Sequence, residues 1–522
     1  MVSIDYLATE KPKPECYIFE LKRKRGMDSK VFYGSKIGPI NNYFNVTTDT
    51  DAVRVECYRK TTKKLSKKAQ TEIAVKYKVF DQIVPLIPAR SLNTKNSGTV
   101  RQDIPNVLML GIDSISWLNF KRHFSLTKTL AERYGFYPIY GYNKIGDNTF
   151  PNLMAILTGN FYDHYWNESM RDTKYFDDLP FIWKEFAKQN LMTAFIEDLP
   201  RYSLFNFNRK GFIDAPTDYY LRPISLAINQ QLKRYCYKNQ MEIEFYYNYT
   251  YDLINALTQR QQNYFAFIFM AHLTHNNANY AGYADLPLYA LLHKLFDQNL
   301  MENTILFLFS DHGIRFGKIR STASGMLEER LPFLYVYIPE HYKTTSIDHN
   351  LVVNSHRLTS PFDIYATLMH ITRGKPIPNL SHGRSLFDEI PMNRSCQSEQ
   401  ISEHWCTCTQ RNQLSTYGNI TYIGNFIVSE VNRLLKPVAK RCHKLWLNKI
   451  HLAYESPIAD KKPYERQYLL RVSVEPSYAI FEATVRKMFG KLRVMGDISR
   501  INKYGTQSQC IDNSYLQKYC FC

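Results

Sequence analysis

No run of about 18 consecutive apolar residues occurs anywhere in the 522-residue chain, so no segment has the length and hydropathy of a membrane-spanning helix. The opening stretch MVSIDYLATEKPKPECY has neither a basic leader nor an apolar core. A signal or anchor segment, if one is used, is therefore expected outside this sequence. Acidic residues are in deficit: 48 Asp and Glu against 66 Lys and Arg leave a formal charge of +18, which points to anionic partners. Zinc-finger, RRM and KH patterns, which would direct a basic surface to nucleic acid, are missing. There is no internal repeat and no low-complexity tract. With 44% hydrophobic and 14% aromatic residues, a disordered or fibrous chain is excluded. Nothing in the composition speaks to the oligomeric state.

What is present is unevenly placed. The basic excess is scattered except over Arg59 to Lys78 (RKTTKKLSKKAQTEIAVKYK). That stretch reads first as a solvated charged face, and second as a contact for a sulfated glycan, a phospholipid head group or nucleic acid. Seven of the ten cysteines (Cys396, Cys406, Cys408, Cys442, Cys510, Cys520 and Cys522) crowd the last quarter of the chain, the pattern of a disulfide-stapled appendage. A structural zinc site is the competing reading. It lacks paired Cys-x-x-Cys knuckles, and no histidine follows Cys406-x-Cys408 at zinc-finger spacing. Cys16 and Cys57 are candidate partners near the start. Six glycosylation sequons, at Asn45, Asn167, Asn248, Asn379, Asn393 and Asn419, join the cysteines in favouring a glycoprotein that is secreted or held in the secretory lumen.

Three regions are expected. Residues 1–100 mix short strand-like runs with basic loops and read as an N-terminal extension. Residues 101–392 alternate amphipathic and apolar segments, as in FIWKEFAKQN then LMTAFIED, and LYALLHKLFDQNL then TILFLFSDHG. That alternation implies an α/β domain with a doubly wound, mostly parallel sheet. SPFDIYATLMHIT reads as a helix with Ser360 as N-cap and Pro361 in its first turn. Residues 393–522 read as a smaller, Cys-rich and loop-like C-terminal region.

Two apolar strands end in metal-binding side chains: NVLMLGIDSIS at Asp113, and TILFLFSDHG at Asp311 and His312. Open α/β sheets keep their sites at the carboxyl ends of such strands. Between them lies Asp147-Asn148-Thr149-Phe150-Pro151. A threonine hydroxyl is a poor nucleophile at neutral pH, and coordination to a metal is one way to activate it. Singly, Asp113 and Thr149 read as helix caps and Asp311-His312 as a turn; in this order they explain one another.

The same residues carry a resemblance. YNKIGDNTFPNLMAILTGN resembles the nucleophile segment of nucleotide pyrophosphatase/phosphodiesterases, and the strand aspartate before it and Ser-Asp-His-Gly after it match the alkaline phosphatase and sulfatase superfamily in order. SPFDIYATL followed by GRSLF is similar to a sulfatase-type segment. GYNKIGDNTFPNL, SDHGIRFGKIR, LEERLPFLYV and NRSCQSEQISEHWCTC, from about residue 100 to 410, resemble the animal family called domain of unknown function 229.

The resemblance implies an alkaline-phosphatase-like fold with a divalent metal (zinc, manganese or calcium) on Asp113, Thr149, Asp311 and His312. It implies catalytic roles for Thr149 and His275. Two-metal phosphodiesterases carry Asp-x-x-x-His at the second site, whereas Ala271 stands four residues before His275. One metal is therefore expected; His272, His356 and His382 remain candidates for a second metal or the substrate. Asn148 and Arg315, with Lys318 and Arg320 behind them, are candidates to hold substrate oxygens. The usual sulfatase route is disfavoured, because threonine cannot become formylglycine and Leu153 replaces the expected arginine. Two functions follow: a metal-dependent hydrolase or transferase acting through Thr149 on a phosphate ester of an anionic glycan, lipid or nucleotide-like substrate, or a catalytically silent extracellular binder of polyanions on the same fold.

Overall fold

In the computed structural model, residues 2–3, 14–40, 43–47, 49–64, 72–91, 101, 103–378, 380–456 and 465–522 are described. The sequon at Asn379 and the middle of the basic stretch, 65–71, lie outside them. The N-terminal region is an antiparallel sheet built on β1 (Glu15–Lys22), β2 (Ala52–Lys64) and β3 (Glu72–Pro85). Cys16 faces Cys57 across β1 and β2, and the two are disulfide-bonded. The described parts of the basic stretch lie on β2 and β3, which pair antiparallel. Three of its lysines are matched by acids: Lys60 and Lys76 pair with Glu15, and Lys78 with Glu56 and Asp81.

The middle of the chain builds the seven-stranded sheet. Its core strands are β4 (Asn106–Ile112), β5 (Met192–Glu197), β6 (Tyr264–Met270) and β7 (Thr304–Phe309), in the spatial order β5-β6-β4-β7 and all parallel. Every residue of β4, β6 and β7 is buried, as strands covered on both faces require. β8 (Leu334–Tyr337) pairs antiparallel with β7. Apolar clusters line the two faces: one gathers α2 (Glu242–Gln259) and α3 (Gly282–Asp297), the other α1 (Thr149–Thr158) and α4 (Pro361–Arg373). This is the expected doubly wound architecture. Gly111 lets the central strands close up, since a Cβ there would lie 2.5 Å from the Phe269 ring and 2.8 Å from Phe309. Ser360 and Asp363 cap α4 reciprocally, with Pro361 in the first turn.

The C-terminal region departs from the loop-like reading. α5 (Thr421–Leu435) packs on an antiparallel sheet of β9 (Trp446–Ser456), β10 (Glu465–Glu475), β11 (Ala479–Met488) and β12 (Lys491–Arg500), edged by Asn412–Gln413 and followed by the short α6 (Ser514–Gln517). It has its own apolar core. Disulfides join Cys396 to Cys406, Cys442 to Cys520 and Cys510 to Cys522, leaving Cys236 and Cys408 as thiols. The region is locked to the α/β domain by a buried ion cluster: Glu482 on β11 takes Arg320, Arg330 and Arg471 at 2.9, 3.0 and 2.9 Å. Among the described residues no helix is long and apolar enough to cross a membrane.

Candidate metal centre and nucleophile

Four adjacent strands deliver polar side chains to one sheet edge. Asp113 follows β4, Asp198 follows β5, His272 and His275 follow β6, and Asp311 and His312 follow β7. Hydrophobic strands carry these groups into a region where each charge must find compensation. Thr149 opens α1 across from them, so the helix start adds partial positive charge at the site.

The loop before Thr149 is shaped by a residue that sequence reasoning passed over. Asn152, fully buried, accepts from the backbone N–H of Ile145 (2.8 Å) and Gly146 (3.1 Å) and donates to the carbonyls of Gly146 (3.1 Å) and Asn148 (2.8 Å). Gly146 admits the close approach, because a Cβ there would sit 2.5 Å from the Pro151 ring. Asn148 is exposed and serves as N-cap, its Oδ1 accepting from Phe150 N at 3.2 Å.

Asp113, Asp311 and His312 are buried, and their ligand atoms all lie within 4.8 Å of one another. His312 Nε2 stands 3.2 Å from Asp311 Oδ2, 3.7 Å from Asp113 Oδ1 and 3.4 Å from Thr149 Oγ1. Its other nitrogen, Nδ1, is 2.8 Å from the Gly313 carbonyl, which can only accept. Nδ1 therefore carries the proton, and the Nε2 lone pair of the neutral ring points at the carboxylates. Burial pushes His312 down to about 4 and Asp113 up to about 7, and it raises Asp311 as well. Asp311 Oδ2 is buried with no hydrogen-bond partner. Two carboxylates and a lone pair facing one point repel each other unless a cation lies between them, so the residues present fit a divalent metal.

A cavity of about 30 Å³ adjoins the cluster, lined among others by Asp113, Thr149, Glu197, Asp198, Tyr202 and His275. His275 stacks on Tyr202, with ring centroids 5.6 Å apart. Burial, followed by the charge of Arg315, holds its imidazole below its usual value, and Nδ1 has no protein partner. Arg315 Nη1 is 3.4 Å from Asp147 Oδ2.

The remaining expectations fall elsewhere. His272 pairs through Nδ1 with buried Glu242. His356 is exposed and packs on Tyr140. His382 stacks on Phe362 beside a separate cavity that shares no lining residue with the metal cluster. Among the described residues no second cluster of non-cysteine ligands forms. Asp198 fills the place near Ala271: its Oδ1 accepts from the N–H of Leu199 and Ala271 at 2.6 and 2.8 Å, and Oδ2 from that of His272 at 3.0 Å. It ends FIED as Asp113 ends LGID, and the same strand-end signal was available for it. Arg320 does not face substrate; it is buried against Glu482. Lys318 is exposed.

The mostly parallel α/β sheet thus carries an oxygen- and imidazole-rich cluster and a helix-start threonine at its carboxyl edge, where open α/β sheets keep their sites. The chain belongs to the family described as Protein of unknown function (DUF229), which matches residues 3–451. No curated protein matches it. Among solved structures it is similar to a protein in the alkaline phosphatase superfamily from Vibrio parahaemolyticus, with 12% identity, TM-score 0.40, and 80% of this chain and 85% of that one covered. It is also similar to the lipoteichoic acid synthase LtaP from Listeria monocytogenes (12%, 0.38, 57% and 79%). A third is the C-terminal periplasmic domain of EptC from Escherichia coli (14%, 0.37, 56% and 88%).

Proposed function

We propose that the protein is a metal-dependent hydrolase or transferase of phosphate esters, with Thr149 as nucleophile and an anionic glycan, lipid or nucleotide-like molecule as substrate. The observation that carries the reading is the meeting of Asp113, Asp311, the His312 Nε2 lone pair and the Thr149 hydroxyl at one buried point. Asp113, Asp311, His312 and Thr149 would hold one divalent cation, which supplies Lewis acidity and lowers the pKa of a coordinated hydroxyl. Thr149 Oγ forms the bond to phosphorus as the ester oxygen departs in line. Water or an acceptor hydroxyl then takes the phosphoryl group and restores the threonine. Arg315 and the Thr149 N–H at the start of α1 favour a phosphate placed before Thr149. His275, neutral and with an open nitrogen in the adjoining cavity, is placed to hydrogen-bond the departing or entering oxygen. The four disulfides and the exposure of Asn45, Asn167, Asn248, Asn393 and Asn419 favour a secreted or luminal glycoprotein.

The test combines metal content with hydrolysis of aryl phosphate mono- and diesters by wild type, Thr149→Ala and Asp311→Ala. Wild type is expected to hold metal and turn over, and each substitution to lower the rate by about 10³-fold or more. Retention of turnover by Thr149→Ala removes the proposed nucleophile. A disulfide-bonded wild type with neither metal nor turnover transfers the reading to a polyanion-binding protein.

A further inference from the structure

The nucleophile loop is held from two sides. From within the α/β domain, Lys144 Nζ donates to the Asp147 carbonyl at 3.2 Å and pairs with Glu329, while Arg315 reaches Asp147 Oδ2. From the far end of the chain, Lys518 Nζ lies 3.5 Å from the same Oδ2. Lys518 follows α6 directly and is only 8% exposed. Its ammonium donates to Asp497 Oδ2 on β12 at 2.7 Å, and the other oxygen of Asp497 accepts from the Tyr519 hydroxyl at 3.1 Å. The rings of Tyr515 and Tyr519 each lie 5.0 Å from Lys518 Nζ. The lysine is thus gripped by its own region and aimed at the loop.

The segment around it is strapped down. Cys520 and Cys522 are both disulfide-bonded, to Cys442 and Cys510. Ser514 donates from its N–H and hydroxyl to Glu168 Oε1, each at 3.1 Å, and Arg171 donates to the Asp512 carbonyl. The last dozen residues therefore touch both the loop that precedes α1 and the turn that follows it. A buried ion pair two residues from a reacting hydroxyl matters through geometry, because misplacement by about 1 Å costs on the order of 10²-fold in rate.

We propose that Lys518 is a positioning residue for Thr149: through its ion pair with Asp147, the C-terminal strap holds the nucleophile loop in the register that brings the Thr149 hydroxyl against Asp311 and His312. The catalytic half of this inference rests on the phosphate-ester reading; the loop-ordering half stands without it.

The experiment uses the full chain and compares wild type with Lys518→Met, Lys518→Arg, Asp147→Asn and the Lys518→Met/Asp147→Asn double variant. Amide hydrogen exchange of residues 144–152 is read beside that of β4, and kcat and KM are measured on an aryl phosphodiester. Lys518→Met is expected to speed exchange over 144–152 about tenfold with β4 unchanged. It is also expected to lower kcat by about ten- to a hundredfold with little change in KM. Lys518→Arg should return both towards wild type, and the double variant should be no worse than Lys518→Met alone. Unchanged exchange in Lys518→Met, or effects that multiply in the double variant, overturns the proposal. If Lys518→Met fails to fold, Asp147→Asn decides, since wild-type exchange over 144–152 in that variant equally overturns it. A wild type that does not turn over refutes the phosphate-ester reading and leaves the exchange comparison to judge the strap.

Discussion

Two buried charge clusters flank the segment between β7 and β8, and they are balanced in opposite ways. Around Glu482, one carboxylate faces three guanidinium groups. Around His312, two carboxylates face an imidazole lone pair, and among the described residues neither carboxylate pairs with a lysine or arginine. Burial pushes every carboxyl upward. At Glu482 the arginines reverse this and hold the group well below the usual range, whereas Asp113 rises to about 7. The first cluster carries its own cations and joins two regions; the second has no Lys or Arg partner among the described residues and fits a divalent cation.

The largest effect should come from unbalancing the Glu482 cluster. Glu482→Gln removes the carboxylate shared by three buried arginines, leaving Arg320 and Arg330 only Glu329 at 3.6 and 4.0 Å, and is expected to destabilise the protein by about 3–5 kcal/mol in denaturant unfolding. A loss below about 1 kcal/mol would erase the contrast. The cluster around His312 should respond with the opposite sign. Asp311→Asn removes a buried repulsion, and is expected to raise the metal-free stability by about 1 kcal/mol. It should also abolish the stabilisation of about 2.7 kcal/mol that a divalent metal gives at a hundredfold excess over its Kd. Thermal unfolding with manganese and with chelator reads both quantities. A metal-free Asp311→Asn melting below wild type would make this cluster structural like the other.

A further effect of similar size concerns Glu197, which burial, the largest cause, pushes up to about 7 from 4.5. An acid whose folded pKa is raised binds its proton more tightly when folded. Its favourable contribution is present below pH 4.5 and is lost as pH rises through about 7. Because Glu197 is partly exposed, solvent screening limits the loss to about 1–2 kcal/mol. Glu197→Gln should flatten that slope in Tm measured from pH 4.5 to 8; an identical slope in the variant assigns the pH dependence to other groups.

Much of the site was legible because strand ends announce themselves. Asp113 and Asp311-His312 end apolar runs, and Thr149 stands between them in a Pro-containing helix start. The disulfide between Cys16 and Cys57 followed from two isolated cysteines in one strand-rich segment. What the strand ends did not announce was of another kind. His356 and His382 were candidates because histidine ligates metals, but residue type carries no address, and both side chains lie against aromatic rings instead. Arg320 looked like a substrate-facing base because its partner, Glu482, lies 162 residues away. The C-terminal sheet was hidden by its cysteines, which outweighed the strand-forming content of YLLRVSVE and AIFEATVRKM.

Local sequence alone determined the α/β class and singled out Asp113, Thr149, Asp311 and His312 as candidate ligands and nucleophile, because hydrophobic periodicity and strand-end chemistry act over a few residues. Tertiary structure decided which charges are satisfied and which remain open. Arg320 and Lys518 are both basic residues, yet one is buried against Glu482 and the other reaches Asp147 in the loop before Thr149. Both outcomes depend on partners brought together across the chain, where burial makes an ion pair matter far more than it does in water.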